Sequence, residues 1–553
     1  MDDFWSRFNQ GCIRATGLLR QVARRWGTVA GDVCGRRGHT YHGPSAGRLA
    51  DWKKAWLAPG VLLVCSLAPA WGRTADHISR TALANLHLPH VVLQKVTKVI
   101  PKRAKNRPAR TYVDVAGIID SRIRFELLLP QKWNGCMTMG GGGGFVGSVQ
   151  NQAANSVYRG FATVGTDTGH ESRSGFQARW AYHNHQAKVD FGYLAVHRTA
   201  QVAKALIHDY YMRSPRYCYF IGCSRGGGQA MMEAQRYPQD FNGIVAGAPA
   251  FNWTGFAATM VAIAKALYPN PRHLHHSVLT QQALKALQAG ILQQAAAQGE
   301  LQDGVIANPL AVHLDLAKVR GLTAAQRQAI AAIGAGAHNG RRLIYPGYTL
   351  SAGCFPGQWT FWFTGPVPGL LGKYHAPDAT FIFGAQIFKY LVFNDLHWNY
   401  AAFRFAHFRQ ETRRAAHILN ATNPDMRSFK ARGGKLIIWQ GWADPALPPL
   451  ATVHYYQNVL AHDPQARAFC RLYMIPGCLH CGGGPGPSHV NWLAVISKWV
   501  EHGQAPGRII ASKYHNGKVV ATRPLYPYPD WAAYQGHGNP ANATSYIKRA
   551  PGH

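Results

Sequence analysis

The sequence predicts an α/β fold whose strands are interrupted once by a large insertion, and three observations predict it. The apolar run Tyr217 to Ile221 passes through Gly222-Cys223-Ser224-Arg225-Gly226 into a helix-like segment, Gly227 to Tyr237. Two more apolar runs, Lys435 to Trp439 and Arg471 to Ile475, each end in a glycine-bearing loop. Between these regions, from Pro249 to about Asn423, the strand-and-turn rhythm gives way to helical and aromatic sequence.

Residues 1–70 form a basic, irregular lead. Lys53-Lys54, the apolar run Ala55 to Leu67 and Ala68-Pro69-Ala70 make a secretory signal pattern, too short for a comfortable membrane span. The expectation is a secreted or periplasmic protein, with the lead removed and either an extended start or a long leader explaining the depth of the signal. Residues 71–254 are the first part of the core, and residues 255–425 are an insertion expected to form a lid over the substrate pocket. Within it Gln281 to Gln298, rich in Ala, Leu and Gln, predicts a helix. Trp359, Phe361, Trp362, Phe363, Phe381 and Phe383 line an aromatic acyl pocket or pack as the lid's own core. Residues 426–553 complete the core, with a closing helix at Val490 to His502 and a tail rich in Pro and Tyr from Arg523.

The chemistry starts at Ser224. A serine at the apex of a strand–turn–helix is lifted out of the sheet, and flanking glycines permit the close packing this needs. Serine is a poor nucleophile at neutral pH, so a histidine must take its proton and an acid must orient the histidine. In an α/β-hydrolase core with this elbow the chain order is Ser, Asp or Glu, His. Asp444 follows the strand at Lys435 to Trp439, and His480 follows Arg471 to Ile475, in that order. Taken singly, Asp444 reads as a turn residue before proline and His480 as a surface-loop histidine. The glycines Gly140 to Gly144, before Phe145, supply a loop whose backbone N–H groups could face an oxyanion. Gly143 is the candidate donor there and Arg225, next to the nucleophile, is the other. A flexible linker is the bland reading, and a phosphate loop fits poorly because no Lys-Ser or Lys-Thr follows.

These residues and their surroundings resemble the tannase and feruloyl esterase family, whose mark is a cysteine beside the serine and another beside the histidine. Here they are Cys223-Ser224 and His480-Cys481. The stretches Gly141 to Phe145, Asp167-Thr168-Gly169-His170, Val189 to Tyr193, Ala195-Val196-His197, Ile244 to Pro249 and Ala431 to Leu436 resemble the family as well, over about residues 85–550. The resemblance implies an α/β-hydrolase core with a large lid, a Ser224–His480–Asp444 triad, a Cys223–Cys481 disulfide and an ester of a phenolic acid as substrate. It implies no cofactor. Two departures stand out: Arg225 and Gly228 occupy positions where relatives usually carry Thr, Asp or Glu and Arg, so the Arg225 side chain is expected to alter the pocket rim. A third concerns a structural calcium of the family's lid. Aligned on Asp303-Gly304-Val305-Ile306, Ala295 stands at the family's cysteine position, Ala296 and Gly299 stand at its other acidic positions, and Tyr526 stands where relatives tend to have Cys. One Asp is too few for calcium, so no metal is expected.

Ten cysteines, three of them in the lead, leave an odd seven, so at least one is unpaired or intermolecular. A metal at Cys478, His480 and Cys481 is the rival to the disulfide, without a second cluster at zinc spacing. The net charge is +34, and removal of the lead's ten Lys or Arg and four Asp or Glu leaves +28. Lys95, Lys98, Lys102, Arg103, Lys105, Arg107 and Arg110 form one basic run. With no nucleic-acid module present, an acidic setting, an anionic polymer or a solvated basic face accounts for the charge better than nucleic acid. The expected partner is a small or polymer-linked aromatic ester, and oligomeric state is not encoded legibly. Two alternatives remain: a hydrolase of other aromatic, amide or polyester-fragment substrates, and a non-catalytic basic binding protein on the same fold.

Overall fold

The computed structural model describes residues 77–101 and 110–551, so the lead with its signal pattern and most of the basic run lie outside the described residues. Nine strands form one sheet: β1 (Val91–Val99), β2 (Tyr112–Ile119), β3 (Ile123–Pro130), β4 (Cys136–Gly140), β5 (Ala162–Thr166), β6 (Tyr217–Cys223), β7 (Gly243–Gly247), β8 (Lys435–Gly441) and β9 (Cys470–Ile475). The order is β1-β2-β3-β5-β4-β6-β7-β8-β9. β1 to β3 pair antiparallel with one another and β3 antiparallel with β5, while β5, β4, β6, β7, β8 and β9 are parallel.

That division follows from burial. β4, β5 and β7 are buried at every residue, as strands covered by helices on both faces must be. Phe220, Ile244, Ile438 and Leu472 join the large core on one face. Their chain neighbours Tyr219, Val245, Ile437 and Tyr473 join a second core on the other, closed by Trp492, Ile496 and Trp499 of the helix Trp492–His502, the period-two alternation of a strand. The edge strand β1 is half exposed. It carries Lys95 and Lys98 of the basic run, and Lys95 pairs with the buried carboxylate of Asp114 on β2. Charged edges of this kind discourage further strand pairing.

Because β7 and β8 are neighbours in the sheet, the whole stretch from Ala248 to Gly434 leaves it and returns to the adjacent position. Its helices include Trp253–Leu267, Gln281–Ala297, Ala324–Ala335 and Phe408–Leu419. It also holds two small hairpins that the sequence pattern did not announce, at Leu301–Ile306 and Ala337–Tyr345. Among the described residues no helix is long and apolar enough to cross a membrane.

Candidate active site

Ser224 joins β6 to the helix Arg225–Arg236 with φ 63° and ψ −124°, a strained conformation for a residue with a Cβ. The helix begins two residues earlier than the sequence suggested, because the elbow turns directly into it. Neighbours hold the strain: Ser224 N–H donates to Gly247 O, and Ser224 O accepts from both Gly228 N–H and Ala250 N–H, all at 3.0 Å. A Cβ at Gly226 would stand 2.5 Å from Gln152 Oε1, and one at Gly228 2.1 Å from Ala250 O. The backbone packing at Gly228 therefore leaves no room for a side chain.

Asp444 and His480 sit beyond the ends of β8 and β9 and meet: His480 Nδ1 is 2.9 Å from Asp444 Oδ2, with the carboxylate fully buried. A carboxylate only accepts, so Nδ1 donates to it and Nε2 faces away from the carboxylate. Asp444 Oδ1 accepts from Ala446 N–H (2.8 Å) and Leu447 N–H (3.1 Å), and Oδ2 also accepts from Gln440 Nε2 (2.8 Å). The histidine loop is tied to the elbow by the disulfide Cys223–Cys481, Cα to Cα 5.9 Å, joining the immediate chain neighbours of Ser224 and His480. The Ser224 hydroxyl forms no hydrogen bond among the described residues; such contacts are often long without substrate and tighten on binding.

The glycine loop is held by side chains that the sequence reading missed. Gly141 N–H donates to Ile221 O of β6 at 3.0 Å. Gly142 N–H donates to the buried Gln229 Oε1 of the helix Arg225–Arg236 at 3.0 Å, and Gly143 N–H to Gln150 Oε1 at 2.8 Å. Gln152 grips Cys223 from both sides, accepting its N–H at 2.7 Å and donating to its carbonyl at 3.2 Å. Three glutamines on sequence alone carry no signal of this, since each reads as a surface polar residue.

Arg225 requires a correction. Its side chain does not reach the pocket rim; it is 1% exposed and turned into the core. The guanidinium lies over Phe191 (4.2 Å) and Trp253 (5.5 Å) and donates to the carbonyls of Phe191 and Gly192. Those carbonyls belong to a π-helical turn, Asp190–Leu194, where the wider backbone ladder leaves acceptors to spare. Burial pulls its pKa down to about 9. The Asp167-Thr168-Gly169-His170 stretch sits beside it: His170 Nε2 donates to Phe145 O at 3.0 Å while its ring stacks on Trp180 at 3.7 Å. Asp167 Oδ1 accepts from Arg124 N–H (3.0 Å) and Gly169 N–H (2.8 Å).

The six aromatics divide. Trp359, Phe363 and Phe381 are buried within the inserted segment, Trp359 against Phe363 and Phe381 against Tyr400. Trp362 presents its ring to His480, centroids 5.8 Å apart, and stacks with Phe383, which reaches Phe145 of the glycine loop. Phe361 packs against Trp362. Two of the six, Trp362 and Phe383, thus reach residues of the site.

The rival metal site fails on its own ligands, because Cys481 is in the disulfide, His480 Nδ1 is on Asp444, and Cys478 is a buried thiol beside the Leu479 carbonyl. One group among the described residues has ligand spacing, His197, Glu233 and Asp240. There Lys204 and His197 already hold Asp240 (3.2 and 2.5 Å), and burial pushes the Glu233 carboxyl well above the usual range, toward its neutral form. Asp303 sits at φ 53° in the turn of the Leu301–Ile306 hairpin, exposed.

The sequence profile of the family described as tannase and feruloyl esterase matches residues 110–549. An uncharacterized esterase of Xanthomonas campestris pv. campestris is 33% identical over 535 residues, covering 84% of this chain and 90% of its own. The mono(2-hydroxyethyl) terephthalate hydrolase of Piscinibacter sakaiensis is 29% identical over 525 residues, 82% of this chain and 87% of its own. Among solved structures, feruloyl esterase B from Aspergillus oryzae superposes with a TM-score of 0.72 at 22% identity, covering 85% of this chain and all of that one. Tannin acyl hydrolase from Aspergillus niger gives 0.68 at 21%, covering 86% and 95%. These two likenesses establish the α/β-hydrolase fold.

Proposed function

This chain belongs to the tannase and feruloyl esterase family, and we propose that it is an exported serine carboxylic ester hydrolase acting on esters of phenolic acids. The observation that carries the proposal is the His480–Asp444 hydrogen bond, delivered by a disulfide to the elbow that bears Ser224.

In this reading Ser224 Oγ attacks the ester carbonyl as its proton passes to His480 Nε2. Asp444 holds the imidazole tautomer and stabilises the imidazolium. The oxyanion is met by the Arg225 N–H, which as a first-turn amide has no partner within its helix, and by Gly143 N–H once the carbonyl oxygen displaces Gln150 Oε1. His480 returns the proton to the leaving alcohol, leaving an acyl-serine. Water then repeats the sequence, with His480 as base, to release the acid. Residues 255–425 act as the lid, and Trp362 and Phe383 offer ring faces to an aromatic acyl group. The signal pattern near residues 53–70 and a disulfide at the site both suit an oxidising compartment.

The test is turnover of methyl ferulate, methyl gallate, mono(2-hydroxyethyl) terephthalate and short nitrophenyl esters by purified protein, beside Ser224→Ala. The phenolic esters are expected to give the highest kcat/KM. Preference for the terephthalate ester would move the chain to the polyester-fragment reading, and turnover by Ser224→Ala equal to wild type would end the mechanism.

A further inference from the structure

We propose that Gln440 is a positioning residue of this hydrolase: its carboxamide fixes the Asp444 carboxylate and shares Oδ2 with His480, tuning how tightly Asp444 holds the imidazolium. The inference rests on the triad reading of Ser224, Asp444 and His480.

Gln440 is the penultimate residue of β8 and is fully buried. Its orientation is determined by its two partners. Thr452 Oγ1, buried on the helix Pro449–His462, donates to Gln440 Oε1 at 3.1 Å, which leaves Nε2 to donate to Asp444 Oδ2 at 2.8 Å. The reverse orientation would set a carbonyl oxygen against a carboxylate that can only accept. Hydrogen bonds therefore run from Thr452 through Gln440 and Asp444 to His480, and Oδ2 is the shared atom of the last two. A donor on Oδ2 disperses charge that would otherwise act wholly on His480, and so loosens the hold of Asp444 on the imidazolium. The other titratable groups facing this carboxylate are Tyr348 and Cys478, both buried and held neutral by burial, which raises the hydroxyl and the thiol alike. Tyr348 donates to Ala446 O at 2.9 Å rather than to the carboxylate. Gln440 is thus the side chain that can set the charge on Oδ2 without titrating itself.

The experiment compares kcat, KM and the pH profile of kcat/KM for wild type, Gln440→Leu and Thr452→Val, with melting as a check on folding and Ser224→Ala alongside. Gln440→Leu removes the donor from Oδ2, so the full charge of Asp444 acts on His480 and the acid limb is expected to move up by about half a pH unit or more. Thr452→Val frees the carboxamide to turn, and the limb is expected to move the same way by a few tenths of a unit, with kcat down roughly threefold and KM unchanged. A role in packing alone would lower melting temperature and leave the limb in place. Folded variants whose limbs both coincide with wild type would overturn the proposal, while an active Ser224→Ala would instead remove the triad on which it rests.

Discussion

The two flanks of Ser224 are held by different chemistry. On the histidine flank the parts are covalent and ionic: a disulfide, a buried carboxylate taking four hydrogen bonds, and an imidazole on that carboxylate. On the glycine flank backbone amides are aimed by neutral carboxamides, with the Arg225 guanidinium buried behind them among aromatic rings. In the proposed mechanism the first flank moves protons, so it needs particular side chains. The second offers backbone N–H groups, which every residue but proline owns, so its precision lies in supports that no motif advertises.

If that division is right, the histidine flank should show the largest losses. Ser224→Ala and His480→Ala are each expected to cut kcat roughly 10³-fold or more, with Asp444→Asn less severe. Steady-state assays on folded variants check the order. An Asp444→Asn enzyme as fast as wild type would mean that His480 is oriented by something else.

Next comes the covalent tie. It closes a loop of 258 residues, for which the chain-entropy model gives about 5.6 kcal/mol as an upper figure. Cys223→Ser with Cys481→Ser is expected to melt well below wild type and to lose turnover as the histidine loop loosens. Unfolding in urea with and without reductant measures the same quantity. A double variant with wild-type stability would show that packing, not the bridge, fixes this flank.

On the glycine flank the expected losses are smaller and unequal. Gln229 is buried, and Gln229→Leu strands the Gly142 N–H without a partner, which costs about 1–3 kcal/mol. Its kcat should fall roughly tenfold as the loop slackens. Gln150 is half-buried and holds the Gly143 amide that the proposed mechanism assigns to the substrate carbonyl. Gln150→Ala should therefore leave stability unchanged and kcat/KM at or above wild type. Equal effects from the two would erase the distinction between a support and a placeholder.

The same division explains what could be read from the chain. Ser224, Asp444 and His480 could be picked out because each lies just past a strand end, in the chain order Ser, Asp, His. The helices at Gln281–Ala297 and Trp492–His502 were legible from composition and pattern, to within two residues at either end. Gln150, Gln152, Gln229 and Gln440 were not, since their role comes from partners at separations of 4 to 87 residues. The destination of Arg225 was misread because the acceptors that draw it inward arise from a π-helical turn, whose extra backbone residue leaves no compositional trace. The antiparallel edge strand β1 went unnoticed because a half-exposed strand carrying lysines looks like solvated chain.

The smallest effect expected is also the one most specific to the glycine flank, and it concerns pH. Burial pushes Asp167 up to about 7 and His170 down to about 4. An unfolded aspartate ionises near pH 4 while the folded one holds its proton, so this residue makes stability fall as pH rises from about 4 to about 7. An unfolded histidine takes a proton below about 6.5 while the folded one refuses it, so His170 makes stability rise from pH 4 to 6.5. The two slopes oppose each other across nearly the same window, and in the wild type they largely cancel. Single substitutions should expose them. Subtracting the wild-type melting temperature at each pH, His170→Gln should lose ground steadily between pH 4 and 6.5, and Asp167→Asn should gain it. Slopes of the same sign in both variants would show that the two groups titrate as one coupled pair rather than as separate buried groups supporting the glycine loop.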